Sequence, residues 1–171
     1  GNYQKTVLGL FTSWSYRLAS MILPVDESLV NSENTYAKDQ SGPQGILHFN
    51  KGLKTPIHVV YNGYSDDEWF DLGGRKKASF ISVSAGLNEK TRFVLKGFDL
   101  IVELAKAHPE CEFTFVGSKV LPAGIEIPTN VKLVPFADTE TLRKLYSENE
   151  FYLQLSISEG FPNAICEAMM C

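Results

Sequence analysis

The sequence predicts an α/β protein built on a parallel sheet with helices on both faces. From about Ser79 onward, short runs rich in β-branched and aromatic residues alternate with longer amphipathic stretches, the spacing that βαβ units require. Each helical stretch carries one apolar stripe at the 3.6-residue period. Helix stop and start signals separate the runs, with His108-Pro109 closing one helix and Asp138 standing as an N-cap for the next.

Taken in order, Ser28 to Glu33 reads as a short strand leading into a turn or helix start, followed by a polar loop through Ser41, Gly42 and Pro43. Ile57 to Tyr61 is a β-branched run that stops at Asn62-Gly63, a strong turn signal. The acidic, aromatic Ser65 to Phe70 and the Gly73-Gly74-Arg75-Lys76-Lys77 cluster form a connection. The expected domains are therefore residues 1–63 and 64–171. The second holds strand Ser79 to Ser84, a helix near Lys96 to Ala107, strands Glu112 to Val116 and Val131 to Pro135, helix Asp138 to Glu148, strand Phe151 to Ser156, and a helix from Asn163. Phe98, Ile101, Val102 and Ala105 in the first helix and Leu142, Leu145 and Tyr146 in the second are core positions.

With 171 residues, 44% hydrophobic and 21% charged, the chain can bury an ordinary core. Its net charge of -4 argues against a nucleic-acid partner, which would ask for a clustered basic surface. Three cysteines without CxxC spacing suggest reduced thiols in the cytoplasm, with neither a disulfide framework nor a zinc site. The apolar stretch Val7 to Val25 is broken by Ser13, Ser15, Arg17 and Ser20 and suits neither a cleavable signal nor a membrane span. The Gly-x-Gly-x-x-Gly and Walker A phosphate loops are absent, and the three histidines form no constellation.

The chemistry is expected after the last strand, where a parallel sheet meets its ligands and a helix offers N–H groups to an anion. Glu159 is expected at the strand's carboxyl end; Gly160 would let a ligand approach the backbone, Pro162 and Asn163 suit a first helical turn, and Glu167 follows on the face of Asn163. A carboxylate can grip two neighbouring hydroxyls. One glutamate near a helix start needs no ligand, since it favours the helix dipole by about 0.3–1 kcal/mol. Two glutamates with the glycine and the strand end point to a sugar nucleotide.

The stretch Ser156-x-x-Glu-Gly-Phe-x-Asn-x-x-x-Glu-Ala-Met-x-Cys171 is similar to the Glu-x7-Glu signature of the group 1 family of retaining GT-B glycosyltransferases. Asn31-Ser32-Glu33 resembles the last strand-to-helix turn of that family's acceptor domain, His58 to Gly63 its interdomain crossing, and Lys96-Gly97 its Lys-Gly helix start. The resemblance implies a Rossmann-like donor-binding domain, incomplete at its C-terminus, preceded by the end of the acceptor domain. It assigns Glu159 to the donor sugar and catalysis, Glu167 to the ribose, and Gly160, Phe161, Pro162 and Asn163 to donor binding through the intervening backbone. Lys96 matches the lysine that neutralises the leaving diphosphate. The accompanying arginine is not matched at the strand end, and Arg92 is the candidate, with Lys90 behind it.

The implied reaction transfers a sugar from a UDP- or GDP-sugar to a saccharide or glycolipid acceptor, in cell-surface polysaccharide or glycolipid synthesis, without a metal or other cofactor. The expected place is the cytoplasm, at the inner face of the membrane through peripheral association. A non-catalytic nucleotide-sugar-binding module of the same fold is the alternative, and a flavodoxin-like domain predicts no paired glutamates. A fragment with one wall of the cleft is expected to be inactive alone and to self-associate through Leu8 to Leu23 and an open sheet edge.

Overall fold

The computed structural model describes residues 6–34 and 42–171. The chain divides into two compact units, 1–63 and 64–171. In the first, Thr6 caps helix α1 (Val7–Leu18) by accepting the Gly9 N–H at 3.1 Å. Asp26 likewise accepts the Ser28 N–H at 2.8 Å, and this cap starts a 3₁₀ turn, Glu27–Leu29. The turn replaces the strand expected from Ser28. The strand β1 begins at Ser32 (Ser32–Asn34) and pairs antiparallel with β2 (Gly42–Gln44). Asn31-Ser32-Glu33 therefore enters a small hairpin-like pair and not a strand-to-helix turn, and Gly42 and Pro43 are strand residues where a loop was expected; Ser41 lies outside the described residues.

A single helical turn, α2 (Ile46–Phe49), follows. The run Ile57 to Tyr61 forms no strand: Ile57 makes one parallel bridge to Ile22, and the His58 and Val60 N–H groups reach the Ile22 and Pro24 carbonyls at 3.0 and 2.9 Å. Its partner is one short extended segment, so the β-branched side chains find no sheet to join.

The second unit carries the parallel sheet, with β3 (Lys76–Val83), β4 (Glu112–Val116), β5 (Val131–Val134) and β6 (Asn149–Tyr152) in the order β5-β4-β3-β6. All three pairings are parallel, with Phe80 opposite Phe113 on one side and Phe151 on the other. Those three rings stack at 5.0 and 5.1 Å between centroids. Helices cover both faces, as the alternation predicts. On one, α3 (Lys90–Leu95) and α4 (Phe98–Ala107) bring Phe93, Phe98, Ile101, Val102 and Ala105 onto Phe113 and Phe115. On the other, α5 (Thr139–Glu148) and α6 (Asn163–Met170) bring Tyr146, Leu142, Leu145 and Ala168 onto Ile81 and Val116. Asp138 caps α5 by accepting the Thr141 N–H at 2.9 Å.

The connection after Gly63 packs on this second face. Trp69 lies 5.9 Å from the Tyr146 ring, Arg143 sits 4.4 Å over Phe70, and the Leu72 N–H reaches the buried Ser147 hydroxyl at 3.0 Å.

Two sequence expectations change in ways that shape the site. The helix expected from Lys96 starts at Phe98. Lys96 ends α3, and Gly97, at φ 70°, breaks the path between the two helices. The last strand stops at Tyr152 and not Ser156. Leu153 still donates to Ile81 at 2.9 Å and accepts the Ser82 hydroxyl at 3.0 Å, after which the chain leaves the sheet and turns toward the α3–α4 junction.

Candidate functional site

The loop from Leu153 to Pro162 is held by backbone before any side chain acts. The Ile157 N–H donates to the Leu95 carbonyl at 2.9 Å. Gly97 meets the Leu155 carbonyl so closely that a Cβ there would lie 2.2 Å from its oxygen. A side chain at that position is thus excluded both by the left-handed backbone and by contact. These constraints put the end of α3 beside the loop, and Lys96 faces Glu159.

The Lys96 ammonium donates to both Glu159 carboxylate oxygens, at 2.7 Å each. The two side chains are 29% and 22% exposed, so the pair is shielded more than an ordinary surface pair. Gln154 adds a second donor on Oε1 at 2.8 Å. Glu159 does not stand at the strand terminus, as expected, but in the loop beyond it. The physical reason is the early departure of the chain from the sheet after Leu153.

Glu167 lies one turn into α6 and accepts from the Tyr146 hydroxyl at 3.1 Å. Burial pushes its carboxyl above the ordinary range, with the Glu68 charge adding to the effect and the Tyr146 hydrogen bond opposing it. Burial also raises the Tyr146 phenol, which stays a donor. The two motif glutamates thus have separate partners, one in the loop and one beneath the helix.

At the start of α6, Pro162 occupies the N-cap and supplies no side-chain cap. The Asn163 and Ile165 N–H groups turn back onto the Phe161 and Pro162 carbonyls, both at 3.0 Å, so an anion at this terminus would compete with those bonds. Asn163 Oδ1 accepts from the Tyr64 hydroxyl at 2.6 Å. Gly160 and Phe161 lie in the loop between Glu159 and this helix start. Arg92 sits four residues before Lys96 on α3, its aliphatic stem over Gly86 and its Nη1 donating to the Ala85 carbonyl at 3.1 Å. Lys90, the fallback candidate, opens the same helix.

Sequence reasoning missed Gln154, Tyr152 and Tyr146. Periodicity marks Tyr146 as core, and nothing in the pattern distinguishes Gln154 from a solvated polar residue. A signal was present only in the proximity of Gln154 to Glu159 in the chain. A separate cavity of about 700 Å³ in the first unit is lined by Leu10, Tyr16, Ile22, Leu29, Ile46 and Phe49 among others and holds none of these residues.

Fold and site together define a Rossmann-like α/β unit whose polar cluster lies in the loop between a parallel strand and a helix start. Residues 73–171, more than half of the chain, match the model of the glycosyl transferases group 1 family, and the chain belongs to that family. Two solved structures share its GT-B fold. One is the pneumococcal O-GlcNAc transferase GtfA in complex with UDP and GlcNAc, with a TM-score of 0.59 and 19% identity over 99% of this chain and 31% of that one. The other is a GtfA/B complex, with a TM-score of 0.55 and 20% identity over 96% of this chain and 38% of that one. The chain thus spans well under half the length of either. No curated protein matches it. Among the described residues no helix is long and apolar enough to cross a membrane.

Proposed function

We propose that the chain is the donor-binding part of a retaining glycosyltransferase that moves a sugar from a nucleotide sugar to an acceptor hydroxyl in polysaccharide or glycolipid synthesis. The observation that supports it is the cluster of Lys96, Glu159 and Gln154 in the loop that leads to α6 and Glu167, within the segment that matches the family. In the reaction, the bond from the anomeric carbon to the phosphate oxygen breaks and its electron pair leaves with the nucleoside diphosphate. The acceptor oxygen bonds the same carbon on the face the leaving group quits, and the acceptor proton departs. Lys96 spends two of its three donors on Glu159 and turns the third to a phosphate oxygen. Arg92 supplies the second positive charge on the same helix, and together they stabilise the diphosphate as charge develops, without a metal. Glu159 orients the donor sugar, Glu167 accepts from the two ribose hydroxyls, and Gly160, Phe161, Pro162 and Asn163 line the donor through their backbone.

The test uses the whole enzyme containing this chain. UDP comes first among the nucleotides, because the pneumococcal GtfA structure holds UDP, and GDP is the comparison. By calorimetry, Glu167→Ala weakens binding of the preferred nucleotide by about 1–3 kcal/mol, the cost of stranded hydroxyl hydrogen bonds. Glu159→Ala lowers turnover and leaves nucleotide affinity nearly intact. Donor binding with no turnover in the unaltered enzyme would instead support the non-catalytic module. Negligible effects of both substitutions would leave only the helix-dipole role for these acids.

A further inference from the structure

Glu159 is one end of a directed chain of hydrogen bonds that starts at the sheet. The Tyr152 hydroxyl donates to Gln154 Oε1 at 2.7 Å, and Gln154 Nε2 donates to the Ser156 hydroxyl at 2.5 Å and to Glu159 Oε1 at 2.8 Å. The direction is forced. A carboxylate has only acceptors, so the amide must turn its NH₂ to Glu159, and its oxygen then faces Tyr152, which can donate. Were the amide reversed, its oxygen would oppose Glu159 and its NH₂ would face the phenol. Tyr152 is well suited to fix the choice. It is the last residue of β6, its ring meets Tyr146 edge-on at 5.9 Å, and burial, together with the charges of Glu159 and Glu167, pushes its phenol up so that it remains protonated.

The second consequence concerns the two oxygens of Glu159. Lys96 meets both equally, whereas Gln154 meets only Oε1. Without Gln154 the carboxylate could rotate about its own axis and keep its ion pair. With it, Oε1 is doubly engaged and Oε2 is the more available oxygen. From this geometry we infer that Gln154, locked by Tyr152, is a positioning residue that sets the rotation of the Glu159 carboxylate and presents Oε2 to the donor sugar. The inference rests on Glu159 serving the donor sugar, as proposed above.

The experiment measures turnover as donor consumption and nucleotide affinity by calorimetry, in the whole enzyme, with UDP and GDP as probes and the matching nucleotide sugar as donor. Gln154→Met keeps the length of the side chain and removes its hydrogen bonds. It lowers kcat by about 10- to 100-fold, the scale of a small misplacement at a reacting centre, while nucleotide Kd stays within about two-fold. Gln154→Glu sets a second carboxylate against Glu159 and moves the acid limb of the pH–rate profile upward, because neighbouring like charges resist ionisation. A merely structural role would not produce that shift. If Gln154→Met does not fold, Tyr152→Phe gives the same split between kcat and Kd, with a loss of about 3- to 10-fold for one hydrogen bond. Turnover unchanged in these variants, or Kd weakened as much as kcat, overturns the positioning role. If Glu159→Ala itself leaves turnover intact, the donor-sugar assignment falls and Gln154 falls with it. If Glu159→Ala abolishes turnover while the Gln154 variants behave as wild type, only the positioning role is lost.

Discussion

Replacing Gly97 with alanine alters the support of the site without removing any polar group from it. Gly97 has φ 70°, and an added Cβ would lie 2.2 Å from the Leu155 oxygen, 2.6 Å from its carbonyl carbon and 2.7 Å from its Cβ. The left-handed backbone costs a residue with a side chain about 1 kcal/mol. Relieving the contact requires backbone on one side or the other to move, and forcing extra volume into a packed position costs about 1–3 kcal/mol more. The sum is about 2–4 kcal/mol, a large part of a typical folding free energy. Gly124 is the control: its φ is 84°, and nothing lies within 4 Å of a Cβ placed there, so Gly124→Ala incurs the backbone cost alone. Urea unfolding read by tryptophan fluorescence measures the difference. Trp69 is only 7% exposed and belongs to the second unit, and a Trp14→Phe background removes the other tryptophan. Because Leu155 leads directly to Glu159, the displaced loop also separates Glu159 from Lys96 and lowers turnover. If Gly97→Ala destabilises no more than Gly124→Ala, the close approach of the α3–α4 junction to the loop is wrong.

The Glu167 carboxyl, raised by burial, gives a pH dependence. A raised carboxyl is better tolerated in the fold when protonated, so its contribution to stability is fully present below the unfolded value of 4.5 and is lost as pH rises through the higher folded value. Nucleotide binding has the opposite trend, since the ribose hydroxyls need the ionised form; calorimetry across that window shows UDP affinity falling on acidification, and Glu167→Gln flattens the curve. Asn130 donates from one amide nitrogen to the Ala105, His108 and Cys111 carbonyls at 2.9, 3.0 and 3.0 Å. Asn130→Ala strands those acceptors and costs about 1–3 kcal/mol by urea unfolding, with nucleotide affinity unchanged. Asp138→Ala removes the α5 cap and costs about 1 kcal/mol in the same assay.

The second unit was legible in the sequence where local rules and burial agree. Strand Glu112–Val116 matches its expectation at both ends, and Asp138 caps the helix it was expected to cap. Phe98, Ile101, Val102 and Ala105 are all buried, because a stripe at the helical period has only one way to face a sheet. The first unit was read less well. The strand expected at Ser28 gives way to an Asp26-capped turn, and Ile57 to Tyr61 has the composition of a strand but no sheet to complete it. Strand formation depends on a partner that composition does not supply.

By itself, the sequence determined the parallel α/β unit, the two helical faces and the spacing of Glu159 and Glu167, since these follow from periodicity and order along the chain. Only the tertiary structure decided what each glutamate touches. Lys96 and Glu159 are 63 residues apart in sequence, and their 2.7 Å contact exists because Gly97 lets α3 end against Leu155. Tyr146 reaches Glu167 because α5 and α6 pack on the same face of the sheet. The polarity of the Tyr152–Gln154–Glu159 chain arises only when the strand stops at Tyr152 and its next residues fold back toward the carboxylate. Such contacts depend on the direction and reach of side chains across elements, and a one-dimensional pattern carries neither.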